Sequence, residues 1–277
     1  MQLLKNEFII MGSKVIVISP NPQSLYTTSV CDLLLKSGIE IQAVFVKKFS
    51  FSRFKDEFSR DGFRLFKKIW KKLILKSKVY KNIEEHDNII NFREINNILL
   101  KDVKELISTG TKVHYVNDIN SKFVEALLRE YNTDLVVFTG GGMIKENILN
   151  HSGAGVINCH MGVLPKYRGM DVVEWPLLNK DFNNIGITLH FMAKGVDTGD
   201  ILRITKIQLK QKDSVKNLRI RFEPVMVREM VDVVINCLCG KIIPKKQKIE
   251  EGKQFFIMHD DLIKVAKSNL SEHTLNL

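Results

Sequence analysis

Short β-branched runs alternating with helix-forming segments constrain this chain most. Residues 14–18, K-V-I-V-I, read as a buried strand. After the turn Ser19-Pro20-Asn21-Pro22, residues 24–37 read as a helix that Gly38 closes, and 39–46 read as a second strand. Strand, helix, strand in that order implies a parallel pair with a right-handed crossover. The pattern lapses for about fifty residues and resumes with K-V-H-Y-V (112–116). A helix capped by Asp118 or Asn120 then runs to about Tyr131. Next come a fully buried strand, D-L-V-V-F (134–138), the turn T-G-G-G (139–142), a short helix at 144–151 and V-I-N (156–158). A helix around 171–179 and strands at 185–191 and 201–207 complete the series. The expected architecture is α/β: a doubly wound, Rossmann-like, mostly parallel sheet whose sites lie beyond the carboxyl ends of its strands. Gly140–Gly142, Asn158–Gly169 and Gly195–Asp200 all fall at such exits, so they should converge on one crevice.

The remainder reads as an appendage. Ser214 to about Leu238 forms a long helix with Pro224 near its start, followed by a Lys-rich turn (245–248), F-F-I-M (255–258) and a helical tail (261–268). We expect a catalytic domain at 1–207, with a helical insert at about 48–100, and a C-terminal extension at 208–277 too small for its own core. No apolar run approaches the roughly 18 to 20 residues of a membrane-spanning helix. The N-terminal segment has too short an apolar stretch for a secretory signal, so a cytoplasmic location is expected. Cys31, Cys159, Cys237 and Cys239 form no C-x-x-C pair, so neither a metal site nor a disulfide framework is expected.

Charge is unevenly distributed. Between Lys47 and Lys81 thirteen Lys/Arg face only Asp56, Glu57 and Asp61, so ten of the eleven net positive charges lie in one segment. The rest of the chain is close to neutral, which is not a nucleic-acid signature. Within the segment, Phe58, Leu65, Phe66, Ile69, Trp70 and Leu73 recur at near-helical spacing among lysines. This pattern fits a helical hairpin packed on the domain, a peripheral contact of 48–81 with an anionic membrane, a lid over a nucleotide diphosphate, or a tRNA-binding surface.

Asn158, His160 and Asp197 sit on turns after strand-like runs. An amide donor, an imidazole and a carboxylate are the groups an acyl transfer needs, because its tetrahedral intermediate develops an oxyanion while protons move between amine and leaving group. Each residue alone is more simply a turn former, a cap or a surface group. On an extended segment, Asn158 and His160, two apart, point the same way.

The pattern N-x-H-x-G-x-L-P-x-Y-R-G, followed some thirty residues on by T-x-H-F-x-x-x-G-x-D-T-G-D-I-L, resembles the 10-formyltetrahydrofolate-dependent formyltransferases. The resemblance covers 112–207 strongly and 14–46 weakly. It implies a catalytic trio of Asn158, His160 and Asp197, with 10-formyltetrahydrofolate as cosubstrate and no metal. It also implies backbone contacts to the pterin from Gly142, Met143, Ile144, Gly195 and Val196. His190 matches a second active-site histidine of the glycinamide ribonucleotide branch.

Branches of that family differ in the amine they acylate. The methionyl-tRNA branch would add a β-barrel domain, whereas 70 residues follow Ile207 here. The purine branch holds a phosphate on a Gly-rich turn after its first strand, where this chain has S-P-N-P-Q-S. The hydrolase branch carries a domain before that strand. The resemblance therefore points to the sugar N-formyltransferases, acting on nucleotide-linked amino sugars for surface polysaccharides. Tyr167 and Arg168 are then candidates for the sugar and pyrophosphate. A tRNA-acylating enzyme and an inactive folate- or nucleotide-binding module are the alternatives. The C-terminal helix is a candidate homodimer contact.

Overall fold

The computed structural model describes residues 12–48, 88–275 and 277. Its main strands are β1 (Lys14–Ser19), β2 (Glu40–Lys47), β3 (Lys112–Val116), β4 (Leu135–Phe138), β5 (Val156–His160), β7 (Gly186–Phe191) and β8 (Ile201–Lys206), with the short β6 (Tyr167–Gly169) leaving the sheet. They lie in the order β3-β2-β1-β4-β5-β7-β8. The first five are mutually parallel, and β7 and β8 extend the sheet antiparallel to β5. Strand order reverses between β1 and β4, the place where a doubly wound sheet opens a crevice at its carboxyl edge.

The β-branched runs are nearly continuous because both faces of the sheet are covered. On one face Val15 and Val17 pack with Val30 and Leu34 of α1 (Leu25–Lys36) and with Phe222, Met226 and Met230 of α6 (Val215–Leu238). On the other, Ile16 and Ile18 pack with Val124 and Leu128 of α3 (Lys122–Tyr131) and Ile148 of α4 (Glu146–Leu149). Helix α1 starts on Ser24, whose Oγ accepts from the Thr27 N–H, and Gly38 beyond its end takes φ +79°.

One cap and one helix interior differ from expectation. Ser121, not Asp118 or Asn120, caps α3 by accepting from the Val124 N–H. Asn120 is instead bound locally to Asp118, whose Oδ1 accepts its N–H at 2.9 Å, and its side chain grips a neighbouring loop. Pro224 lies well inside α6, and the helix runs through it. Proline has no N–H to donate to the Ile220 carbonyl, yet packing of Phe222, Met226 and Val227 holds the segment helical.

The C-terminal residues pack against the sheet domain. Lys245 forms a bridge with Ile201, β9 (Lys253–Phe255) pairs parallel with β6, and α7 (Asp260–Leu275) packs on α5 (Glu174–Leu178). Helix α7 extends past the expected tail at 261–268. Residues 49–87, which hold most of the basic segment, lie outside the described residues. Directly after them α2 (Ile89–Ile95) carries buried Arg93, which donates to Thr28, Ser29 and the Leu100 carbonyl. Among the described residues no helix is long and apolar enough to cross a membrane.

Candidate functional site

Asn158 and His160 lie within β5, as its third and last residues, not on a turn after it. The strand reaches His160 because Asn158 pairs with His190 and His160 with Thr188 across the antiparallel β7. Thr188 is fully buried, and its hydroxyl donates to the Gly162 carbonyl at 2.7 Å while accepting from the Leu164 N–H at 3.1 Å. That clamp fixes the turn after His160. Asp197 does lie on a turn, between β7 and β8, at φ +52°. Aspartate tolerates this left-handed backbone better than most side chains. Gly199 lets the same loop pass under β7, since a Cβ there would stand 1.8 Å from the Phe191 carbonyl oxygen.

These elements bring four side chains into one network. Asn158 Nδ2 donates to His190 Nε2 at 3.1 Å, and His190 Nδ1 donates to the Phe191 carbonyl at 2.8 Å. His160 Nε2 donates to the Tyr167 carbonyl at 2.8 Å, so the neutral ring carries its proton there and turns a bare Nδ1 toward Asp197 Oδ2, 3.4 Å away. The other oxygen, Oδ1, lies 3.6 Å from His190 Nε2. The Gly169 N–H donates to Asp197 Oδ2 at 2.9 Å. Burial lowers the proton affinity of His160 below the usual imidazole value, with Asp197 and the Tyr167 carbonyl opposing. Burial also pushes the Asp197 carboxyl up, but the adjacent His190 ring, the His160 ring and the Gly169 N–H outweigh it and hold the group below the ordinary carboxylate value.

The loops expected at the pterin stand close together. Asn120 Nδ2 donates to the Met143 carbonyl at 2.9 Å and its Oδ1 accepts from the Lys145 N–H at 2.7 Å, bracketing Ile144. Lys194, beside Gly195 and Val196, approaches Glu146 at 3.8 Å. Gly142 takes φ +109°, Met143 is exposed, and Ile144 is buried in the core, so the loop offers main chain more than the Ile144 side chain.

A cavity of about 560 Å³ opens at the crevice. Asn21 and Ser24 after β1, Thr139 and Gly140 after β4, Asn158 of β5, and Glu223 and Met226 of α6 line it. The Glu223 carboxyl has one buried oxygen without a hydrogen-bond partner, and burial pushes it up to about 7. Helix periodicity assigned Glu223 only to a packed helix, because nothing in sequence tells which turn of α6 passes the crevice.

Tyr167 and Arg168 do not line that cavity. Tyr167 is buried, its ring stacks on Phe255 at 5.3 Å, and its hydroxyl donates to Asp181 at 2.8 Å. Arg168 is buried too, with Nη2 3.5 Å from the Gly252 carbonyl and Nε and Nη1 unpartnered. Both are drawn inward by the β6–β9 pair, which was not legible in the sequence. No group of three or more His, Cys, Asp or Glu among the described residues is arranged to hold a metal ion.

Residues 101–234 match a family model described as formyl transferase. The methionyl-tRNA formyltransferase of Caldanaerobacter subterraneus subsp. tengcongensis is 34% identical over 154 residues, which are 54% of this chain and 49% of that protein. The chain spans about half the length of the curated relatives it matches. Among solved structures, a sugar N-formyltransferase from Shewanella sp FDAARGOS_354 superposes with a TM-score of 0.58 at 16% identity, covering 93% of this chain and 87% of that one. An N-formyltransferase from Helicobacter canadensis, in complex with folinic acid and dTDP-3-aminofucose, gives 0.56 at 14% identity over 94% and 80% of the two chains. The fold is thus that of the solved formyltransferases, and residues 101–234 are similar in sequence to the formyl transferase family.

Proposed function

We propose that this protein transfers a formyl group from 10-formyltetrahydrofolate to the amine of a nucleotide-linked amino sugar. The observation that carries the chemistry is the single network joining Asn158, His160, His190 and Asp197 at the carboxyl edge of the sheet. The Asn158 amide has two hydrogens; one is fixed on His190, leaving the other for a developing oxyanion. His190 thereby orients the amide. Neutral His160 presents an unprotonated Nδ1 to an ionised Asp197, a pairing that improves when a proton arrives between them. The pair is therefore suited to take the proton shed by the attacking amine and return it to the departing folate nitrogen. The Gly142–Ile144 and Gly195–Val196 segments would hold the pterin through main-chain groups.

The cavity supports a small acceptor. Its volume of about 560 Å³ lies in the range of small-molecule pockets, and its wall carries the Glu223 carboxyl, suited to hydrogen-bonding hydroxyls and an amine. The Helicobacter canadensis protein, of the same fold, holds a folate derivative and a nucleotide-linked amino sugar together. A second reading, formylation of initiator methionyl-tRNA, is favoured by the 34% identity to an enzyme of that name.

The test is an acceptor screen with purified protein and 10-formyltetrahydrofolate. Nucleotide-linked 3-amino and 4-amino deoxysugars form one arm, and initiator methionyl-tRNA and glycinamide ribonucleotide the others. Formylated sugar nucleotide is the expected product. Formylation of the tRNA alone would overturn the acceptor and keep the chemistry.

A further inference from the structure

We propose that the C-terminal segment 245–255 belongs to the active site, with Gln247 as the residue that positions Asp197. The inference rests on Asp197 being the catalytic carboxylate. Gln247 Nε2 donates to the Asp197 carbonyl at 3.0 Å and to the Gly199 carbonyl at 2.5 Å. Both partners only accept, so the amide orientation is fixed by its neighbours. One side chain thus bridges two turn carbonyls, one of them at a residue held at φ +52°. A left-handed backbone at a non-glycine residue persists only where its surroundings over-determine it.

A second arm of the same segment reaches the carboxylate. Gly169, whose N–H donates to Asp197 Oδ2, takes φ +97° and lies so close to β9 that a Cβ would stand 2.2 Å from the Phe255 carbonyl oxygen. The Met170 N–H donates to that same carbonyl at 3.0 Å. The Lys245–Ile201 bridge anchors the segment at the other end of the loop, where two main-chain hydrogen bonds of 2.8 Å run between them. The main chain of Asp197 is therefore held by Gln247, and its carboxylate by a strand that β9 supports. Both devices lie beyond residue 234, where the match to the family model ends.

Asp197 is faced by His160 from β5, His190 from β7, the Gly169 N–H from β6 and the Gln247 amide from the C-terminal segment. Gln247→Leu removes both donors without adding a charge. Asp197 then loses its fixed approach to His160, and the imidazole loses the carboxylate that favours its protonated form.

The test combines NMR titration of the His160 ring with turnover, each compared with wild type. We expect the His160 titration to move to lower pH. We also expect kcat to fall by about tenfold or more, given that ~1 Å of misplacement can cost ~100-fold, with the acceptor KM within about twofold. An unchanged titration and an unchanged kcat in a folded variant would overturn the proposal. If the leucine variant does not fold, Gln247→Ala carries the same comparison. Asp197→Asn, measured alongside, separates the two ideas. If Asp197→Asn keeps wild-type turnover, the catalytic reading fails, and the His160 titration still decides whether Gln247 holds the loop.

Discussion

Neutral His160 shows a bare nitrogen to a carboxylate at 3.4 Å, which is unfavourable until a proton sits between them. The motif gave the identities of this pair, but not that the Tyr167 carbonyl fixes the tautomer, because that contact depends on where β6 lies. Glu223 makes the same point more sharply: it was invisible as a site residue and emerged only from its burial beside Asn158 in the cavity. Its carboxyl is raised from 4.5 to about 7 by burial. The folded state therefore keeps a proton that the unfolded chain releases near pH 4.5. Stability falls as pH rises from about 4.5 through 7, and the full penalty is present above 7. Glu223→Gln should raise the thermal midpoint at pH 8, by up to roughly 3 kcal/mol in stability for a shift of this size. The gain should shrink toward pH 5. Melting curves of both proteins across that range check this, and a pH-independent difference would contradict it.

Elements built on long apolar runs were legible: β1, β2, β4, α1 and α6 fall within a residue or two of their expected spans. A buried period and strong caps mark such segments. The three-residue strands β6 and β9 were not, since three residues carry no period, and their pairing joins positions more than eighty apart in sequence. That pairing turns Tyr167 and Arg168 inward, while the sequence could show only a loop. The turn between β5 and β6 has its own steric requirement. A Cβ on Gly162 would stand 2.7 Å from His160 Nε2, 2.8 Å from the Tyr167 carbonyl oxygen and 3.0 Å from Val172 Cβ. Gly162→Ala should push the imidazole off the Tyr167 carbonyl, lowering kcat by about 10- to 100-fold. Overpacking of this kind costs about 1–3 kcal/mol, so the variant should remain folded. Steady-state kinetics with a melting curve check it, and wild-type kcat would show that the turn has slack.

For the whole molecule, the strand exits converge as the alternation of elements implied, and the reversal between β1 and β4 sets the crevice. What the sequence could not disclose is that the C-terminal segment returns to the Asp197 loop, because that return depends on side-chain bonds such as Gln247 to Asp197. The basic segment from Lys47 to Lys81 lies mostly outside the described residues, and its peripheral membrane contact remains our proposal from sequence, tested by liposome binding. Formyl transfer by the β5–Asp197 network is the central proposal for this protein. The most direct measurement is the rate of formyl transfer by His160→Ala and Asp197→Asn, beside wild type, on whichever acceptor the protein formylates. Positioned acid–base groups are worth about 10²- to 10⁴-fold, so each variant should lose at least about 100-fold in turnover while keeping its native circular dichroism. Turnover within about tenfold of wild type in both folded variants would contradict the account.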